Sequence, residues 1–181
     1  MKQKITHPLY KDYPNQPYIS PDRDLDLWEK HPEKFPYSKV TKFNMTELED
    51  SLFPGDIILL WRVGLGNYNT ESHITNYFEY RYGINHDDSL KKLMVKSLIM
   101  QCDAKTSLDQ LNIPELKNIL KALHLPLIGN KSELIMRIQK NVSEYDLENM
   151  FSVRTFEITD KGQALLKKYD DIIQKHGPKK L

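Results

Sequence analysis

The chain has 181 residues, 39% of them apolar and 28% charged, with a formal net charge of +1, which is ordinary for a water-soluble protein of one domain or two small ones. No apolar run approaches the roughly 20 residues that a membrane span needs, and the opening MKQKITHPLY lacks the apolar core of a signal sequence, so cytoplasmic residence is the expectation. A single cysteine, Cys102, excludes an internal disulfide and a cysteine-based metal cluster.

The first 36 residues hold six of the ten prolines together with Tyr10, Tyr13 and Tyr18, a composition that resists regular structure and favours extended backbone. Residues 1–54 therefore read as an arm, wrapping the body or mobile as far as about Asp24, followed by an acidic segment. From Asp22 to Asp56 there are nine acidic residues against five basic ones, which argues against phosphate contact there. A short helix around Met45 to Leu52, capped by Asn44 or Thr46, is a weak expectation. The arm is a candidate docking segment for a protein partner.

Residues 55–104 form a second block. After the Pro54-Gly55 turn, the run Asp56-Ile57-Ile58-Leu59-Leu60-Trp61 predicts a buried strand, ended by Gly64 and Gly66. Ile74, Tyr77, Phe78, Arg81 and Tyr82 then follow helical spacing up to Gly83. A further helix runs from Asp88 to about Leu98, capped by Asn85 or Asp87, with Leu90, Leu93, Met94 and Ser97 on one face. Its acids come first and Lys91, Lys92 and Lys96 later, the order that the helix dipole favours.

Residues 105–141 are the most informative. Pro114 suits the first turn of a helix, where its missing N–H would have had no partner. Leu116, Ile119, Leu120 and Leu123 line one face of that helix, and Lys117 and Lys121 sit about 130° round from it. Pro126 and Gly129 interrupt the chain, and Asn130 with Glu133 predicts a capping box for a second helix. That helix turns Leu134, Ile135 and Ile138 inward. Lys131 lies in its first turn, beside the N–H groups and dipole that favour an anion, and Arg137 follows.

In the order Leu108, Leu111, Leu116-Lys117, Leu120-Lys121, Leu125-Pro126, Gly129, Lys131, Leu134-Ile135 and Arg137-Ile138, this stretch resembles the SAP domain, a helix-extended-loop-helix DNA-binding motif. The resemblance implies contacts to the DNA backbone and groove, with low sequence specificity and a preference for AT-rich duplex. Carried over by position, it makes Lys117, Lys121, Gly129, Asn130, Lys131 and Arg137 the candidate DNA-binding residues. His124 departs from the pattern, standing where the family commonly has glycine. On pattern alone, a solvated lysine face is the competing explanation.

Residues 142–181 complete the chain. Ser143 to Met150 predicts a helical turn or two. Thr155 to Ile158 reads as a strand leading to Thr159, the N-cap of a helix from Asp160 to about Gln174, with Leu165, Leu166, Tyr169, Ile172 and Ile173 buried. The tail HGPKKL is basic and expected to fray. SLKKLMVKSLI and FEITDKGQALLKKY resemble segments of winged-helix domains. The order of elements over about 55–175 resembles small SAP-containing proteins of low-GC Gram-positive bacteria and their phages.

Charge is uneven along the chain. Residues 1–104 carry 13 Lys and Arg against 15 Asp and Glu, giving −2, whereas residues 105–181 carry 13 against 10, giving +3. Any footprint for a polyanion lies in the C-terminal part, and its modest size predicts weak, salt-sensitive binding. Tyr77, Phe78, Tyr80, Tyr82 and Trp61 are candidate base-stacking rings, with core packing the favoured alternative. For Lys91, Lys92 and Lys96 a solvated helix face is favoured over backbone contact. His73, His86 and Cys102 lack partners at ligand or nucleophile spacing, and no phosphate-binding loop or paired-carboxylate motif appears.

The expectation is thus a mainly helical α+β protein, a SAP-type hairpin with winged-helix-like flanking elements. It would bind nucleic acid, foremost DNA, without a cofactor, metal, membrane or catalytic step. The alternative is a non-catalytic protein-interaction adaptor in which the hairpin is structural.

Overall fold

A computed structural model describes residues 7–31, 39–72 and 74–177. The first six residues of the arm, His73 and the last four residues of the basic tail lie outside the described residues. The chain divides into two compact units. One comprises Met1–Gly64, His73–Ile99 and Ile158–Leu181, and the other comprises Leu65–Ser72 and Met100–Glu157. In chain order the helices are α1 (Leu25–Lys30), α2 (Pro54–Gly64), α3 (Thr75–Tyr77), α4 (His86–Val95), α5 (Ala104–Ser107), α6 (Ile113–Ala122), α7 (Lys131–Asn141), α8 (Glu144–Glu148), α9 (Asp160–Lys168) and α10 (Asp170–His176). Strands β1 (Ile99–Gln101) and β2 (Phe156–Ile158) form a two-stranded sheet, so the protein is mainly helical.

In the first unit, the strand expected at Asp56 to Trp61 is instead the middle of α2. Pro54 suits a helix start, and the Asp56 carboxylate turns back to accept the Phe53 N–H at 2.8 Å. Ile57, Ile58, Leu59 and Leu60 are all fully buried, because α2 packs against α4, α9 and α10. A helix apolar on every side has no 3.6-residue signature to betray it, and a short apolar run then reads equally well as a strand. The cost of burying Asp56 is offset by Lys92 Nζ at 2.9 Å and by the Ser89 hydroxyl, which also donates to it.

The arm is packed rather than free over its described part. Tyr10, Ile19, Trp28, Val40 and Met45 form a buried cluster, and the Arg23 guanidinium lies over the Trp28 and Tyr80 rings while pairing with Glu79. No α-helix forms at Met45 to Leu52: two 3-10 turns, Phe43–Met45 and Glu49–Ser51, occupy the region, and Asp50 and Ser51 take positive φ.

The helix expected before Gly83 begins as α3 and continues as a π-helical turn, Phe78–Tyr82, closed by Gly83 at φ 65. Phe78 and Tyr82 are buried and Tyr77, Tyr80 and Trp61 half-buried, so this aromatic set is largely core. Asn85 caps α4 by accepting the Asp88 N–H at 2.9 Å. The buried face of α4 is His86, Ser89 and Leu93. Met94 is exposed, and Ser97 leaves the helix at φ 55, which corrects the expected face.

Thr159 caps α9 as its hydroxyl spacing predicts, accepting the Gly162 N–H at 3.1 Å. The single helix expected to Gln174 is broken at Tyr169 (φ −110, ψ 32) into α9 and α10. Ile172 and Ile173 are buried, whereas Leu165, Leu166 and Tyr169 are half-buried.

In the second unit, Ala104, Leu108, Leu111, Leu116, Ile119, Leu120, Leu134, Ile135, Ile138, Val142 and Leu147 make one apolar core, with Leu123, Leu125 and Phe151 packed on it. The Ser143-capped helix is α8, and Glu144 reaches from it to accept the Ala104 and Lys105 N–H groups at the start of α5.

Candidate functional site

The candidate residues lie on α6, on α7 and in the loop joining them. Two features fix the start of α6. Pro114 sits in its first turn, and Asn112 with Glu115 forms a capping box in which each side chain accepts the other's backbone N–H, at 3.0 and 2.6 Å. That box follows the N-x-x-E signal at 112–115, which sequence reasoning passed over in favour of the proline.

The end of α6 explains the unusual histidine. The Leu125 N–H donates to the Leu120 carbonyl and the His124 N–H to the Lys121 carbonyl, with His124 at φ 55. This is a Schellman closure with an L-residue in the left-handed position that normally favours glycine. The turn geometry therefore holds despite His124, at the expense of backbone strain.

Beyond it the loop is clamped. Arg137 Nη1 donates to the carbonyls of Pro126 (2.7 Å) and Ile128 (3.0 Å), and Lys131 Nζ donates to the Asp109 carbonyl (2.6 Å). Gly129 takes φ 140, and a Cβ there would lie 2.7 Å from Glu133 Oε2. Glycine thus lets the Glu133 carboxylate fold back to accept the Asn130 N–H at 2.8 Å while Asn130 accepts the Glu133 N–H at 3.1 Å. The predicted capping box of α7 is present.

These contacts sort the candidate residues by role. Lys121 is exposed and Lys117 half-buried, and among the described residues neither has a hydrogen bond or ion pair to its amine. Lys131 and Arg137 are half-buried, Lys131 bonded to one backbone carbonyl and Arg137 to two, and among the described residues neither pairs with a carboxylate. Asn130 and Gly129 shape the N-terminus of α7. Glu133 is the carboxylate of its first turn, held against Asn130. Lys140, exposed in the last turn of α7, and Ile128, 86% exposed on the clamped loop, also belong to this surface. Neither is marked by the hairpin pattern of the sequence: exposure of the loop residue Ile128 leaves no periodic signal, and Lys140 lies beyond the positions that carry the resemblance.

The other candidates lie elsewhere. His86 is buried with Nδ1 2.8 Å from Asp87 Oδ1. Cys102 is buried, and its thiol is pushed up to about 11, chiefly by burial and then by the Glu157 carboxylate. No group of His, Cys, Asp or Glu among the described residues could hold a metal ion, and no helix among them is long and apolar enough to cross a membrane.

Two capped helices joined by a Schellman turn and a clamped loop, apolar on their facing sides and cationic outside, define a helix-extended-loop-helix module. The family model of the SAP domain matches residues 107–143, so this is a SAP domain-containing protein, and SAP domains are in general DNA-binding motifs. No curated protein and no solved structure matches the chain.

Proposed function

We propose that the protein binds duplex DNA through the phosphate backbone, with low sequence specificity and without catalysis, and that it does so in the cytoplasm. The observation that carries this reading is the pairing of the SAP-family match with a hairpin whose amines at Lys117 and Lys121 form no ion pair among the described residues. Lys117 and Lys121 neutralise phosphates. Lys131 and Arg137 add charge while holding the loop in shape, and Gly129 and Asn130 present the start of α7, whose dipole favours an anion. Shape rather than base-edge readout supplies any preference for AT-rich duplex.

The winged-helix reading of the flanks belongs to the same proposal. It is supported by the chain order α4, β1 and then β2, α9, with β1 paired to β2.

Fluorescence anisotropy with labelled duplex tests the assignment. Lys121→Ala and Lys131→Ala should each weaken binding about equally across sequences and lower the salt slope by about one. Parental binding by both variants rejects it.

One observation favours the adaptor as a second reading. A groove of about 490 Å3, with Ile119, Ala122, Met150, Phe151 and Val153 in its walls, opens on the second unit. Capture of a partner that survives nuclease treatment and is lost on Phe151→Ala would favour that reading.

A further inference from the structure

We infer that the first unit carries a separate site for a nucleoside phosphate, in the cavity between the Phe43–Met45 turn, the π-helical turn and α10. The cavity has a volume of about 400 Å3, within the roughly 300–1,000 Å3 range of small-molecule sites. Lys39, Arg81 and Lys175 all line it, and among the described residues no Asp or Glu does.

What holds these cations in place distinguishes them from an ordinary charged surface. The Lys39 ammonium lies 4.9 Å over the Tyr13 ring and 5.8 Å over that of Tyr10, and Lys175 lies 4.4 Å over Phe43. Aromatic faces orient an amine without neutralising it, so the positive charge stays available to an anion. The nearest carboxylate contact is Asp171, 3.7 Å from Lys175, and both side chains are more than 60% exposed, so water screens that pair heavily. Among the described residues no carboxylate pairs with Lys39 or Arg81.

The frame around the cations is fixed. Asn44 Nδ2 donates to the Arg81 carbonyl at 2.8 Å, tying the Phe43–Met45 turn to the π-helical turn, and Tyr82 hydrogen-bonds the buried His176 of α10. Two ammonium groups and a guanidinium around one cavity suit the several oxygens of a phosphate better than the two of a carboxylate. Phe43, 43% exposed at the wall, offers a ring for a base to stack on. The phosphate could belong to a free nucleotide or to a nucleic-acid strand. The cavity is lined by residues of the first unit and the hairpin belongs to the second, so failure of this site would leave the hairpin reading intact.

Isothermal titration of the full chain tests the site with adenosine 5′-monophosphate, adenosine and a short oligothymidylate. The monophosphate should bind at least tenfold more tightly than adenosine. Lys39→Ala and Lys175→Ala should each weaken it about tenfold, and Lys175→Glu further, whereas Lys121→Ala should leave it unchanged. Both lysines are exposed, and unchanged thermal melts would show that the variants fold. If the oligothymidylate binds and the monophosphate does not, with the oligothymidylate weakened by Lys175→Ala, the site stands with a strand as its source. Absence of binding by both the monophosphate and the oligothymidylate, measurable binding of adenosine as tight as that of its phosphate, or indifference to both lysine substitutions overturns the inference.

Discussion

Replacing Arg137 separates the scaffold role of the cationic surface from its electrostatic one. The alanine variant loses two hydrogen bonds from Nη1, at 2.7 Å to the Pro126 carbonyl and 3.0 Å to that of Ile128. Both acceptors lie on exposed residues, so water replaces the guanidinium and each bond contributes near the lower end of the usual range. Together they amount to about 1–2 kcal/mol. With a urea dependence of about 2 kcal/mol per M, the midpoint of the hairpin's unfolding should fall by about 0.5–1 M. Arg137→Lys retains the charge, but its flexible ammonium lacks the planar geometry that aims both Nη1 protons at the two carbonyls, so it should lose roughly half as much stability and keep the parental salt slope for duplex binding. Urea titration followed by circular dichroism, paired with anisotropy at two salt concentrations, reads both effects. An unchanged midpoint in Arg137→Ala would refute the clamp, and a lysine variant that binds as poorly as alanine would refute the separation of roles.

Other perturbations follow from particular contacts. His124→Gly should raise stability by about 0.5 kcal/mol, the relief of left-handed strain less the greater freedom of glycine in the unfolded chain, measured as a higher urea midpoint. Gly162→Ala should destabilise by about 1–3 kcal/mol, because its Cβ would lie 2.7 Å from Ile158 Cγ1 and well inside contact distance of the Leu98 carbonyl oxygen. A thermal melt of that variant matching the parent would contradict this packing. The Cys102 thiol binds its proton more tightly folded than unfolded. Its contribution to stability is therefore complete below its ordinary value of 9.0 and is lost as pH rises through about 11. Iodoacetamide labelling of the native protein at pH 8, followed by mass spectrometry, should be much slower than labelling in urea.

The hairpin was legible in the sequence because its signals are local. Capping residues sit three apart at Asn130 and Glu133, apolar residues recur at helical spacing from Leu116, and proline and glycine mark the loop. Likewise Thr159 announced α9 and Asn85 announced α4. What escaped depended on tertiary surroundings. The run at Ile57 to Leu60 is helical because α4, α9 and α10 cover α2, and no periodicity records that. The break at Tyr169 and the positive φ of Asp50, Ser51 and Ser97 fall on residues with no glycine to flag them. Within the site, the helical spacing puts Lys117 and Lys121 on one flank, and the structure leaves Lys121 exposed and Lys117 half-buried. The bonds from Arg137 to the carbonyls of Pro126 and Ile128 join residues whose pairing follows only from the folded loop.

Amide chemical-shift mapping of the isotope-labelled protein with a 12-base-pair duplex tests the central claim most directly, because it locates the contact instead of inferring it from affinity. Perturbations should concentrate at Lys117, Lys121, Gly129, Asn130, Lys131 and Arg137, and should shrink together as salt is raised. A spectrum unchanged by duplex, or one whose shifts lie away from α6, α7 and their loop, would contradict the account.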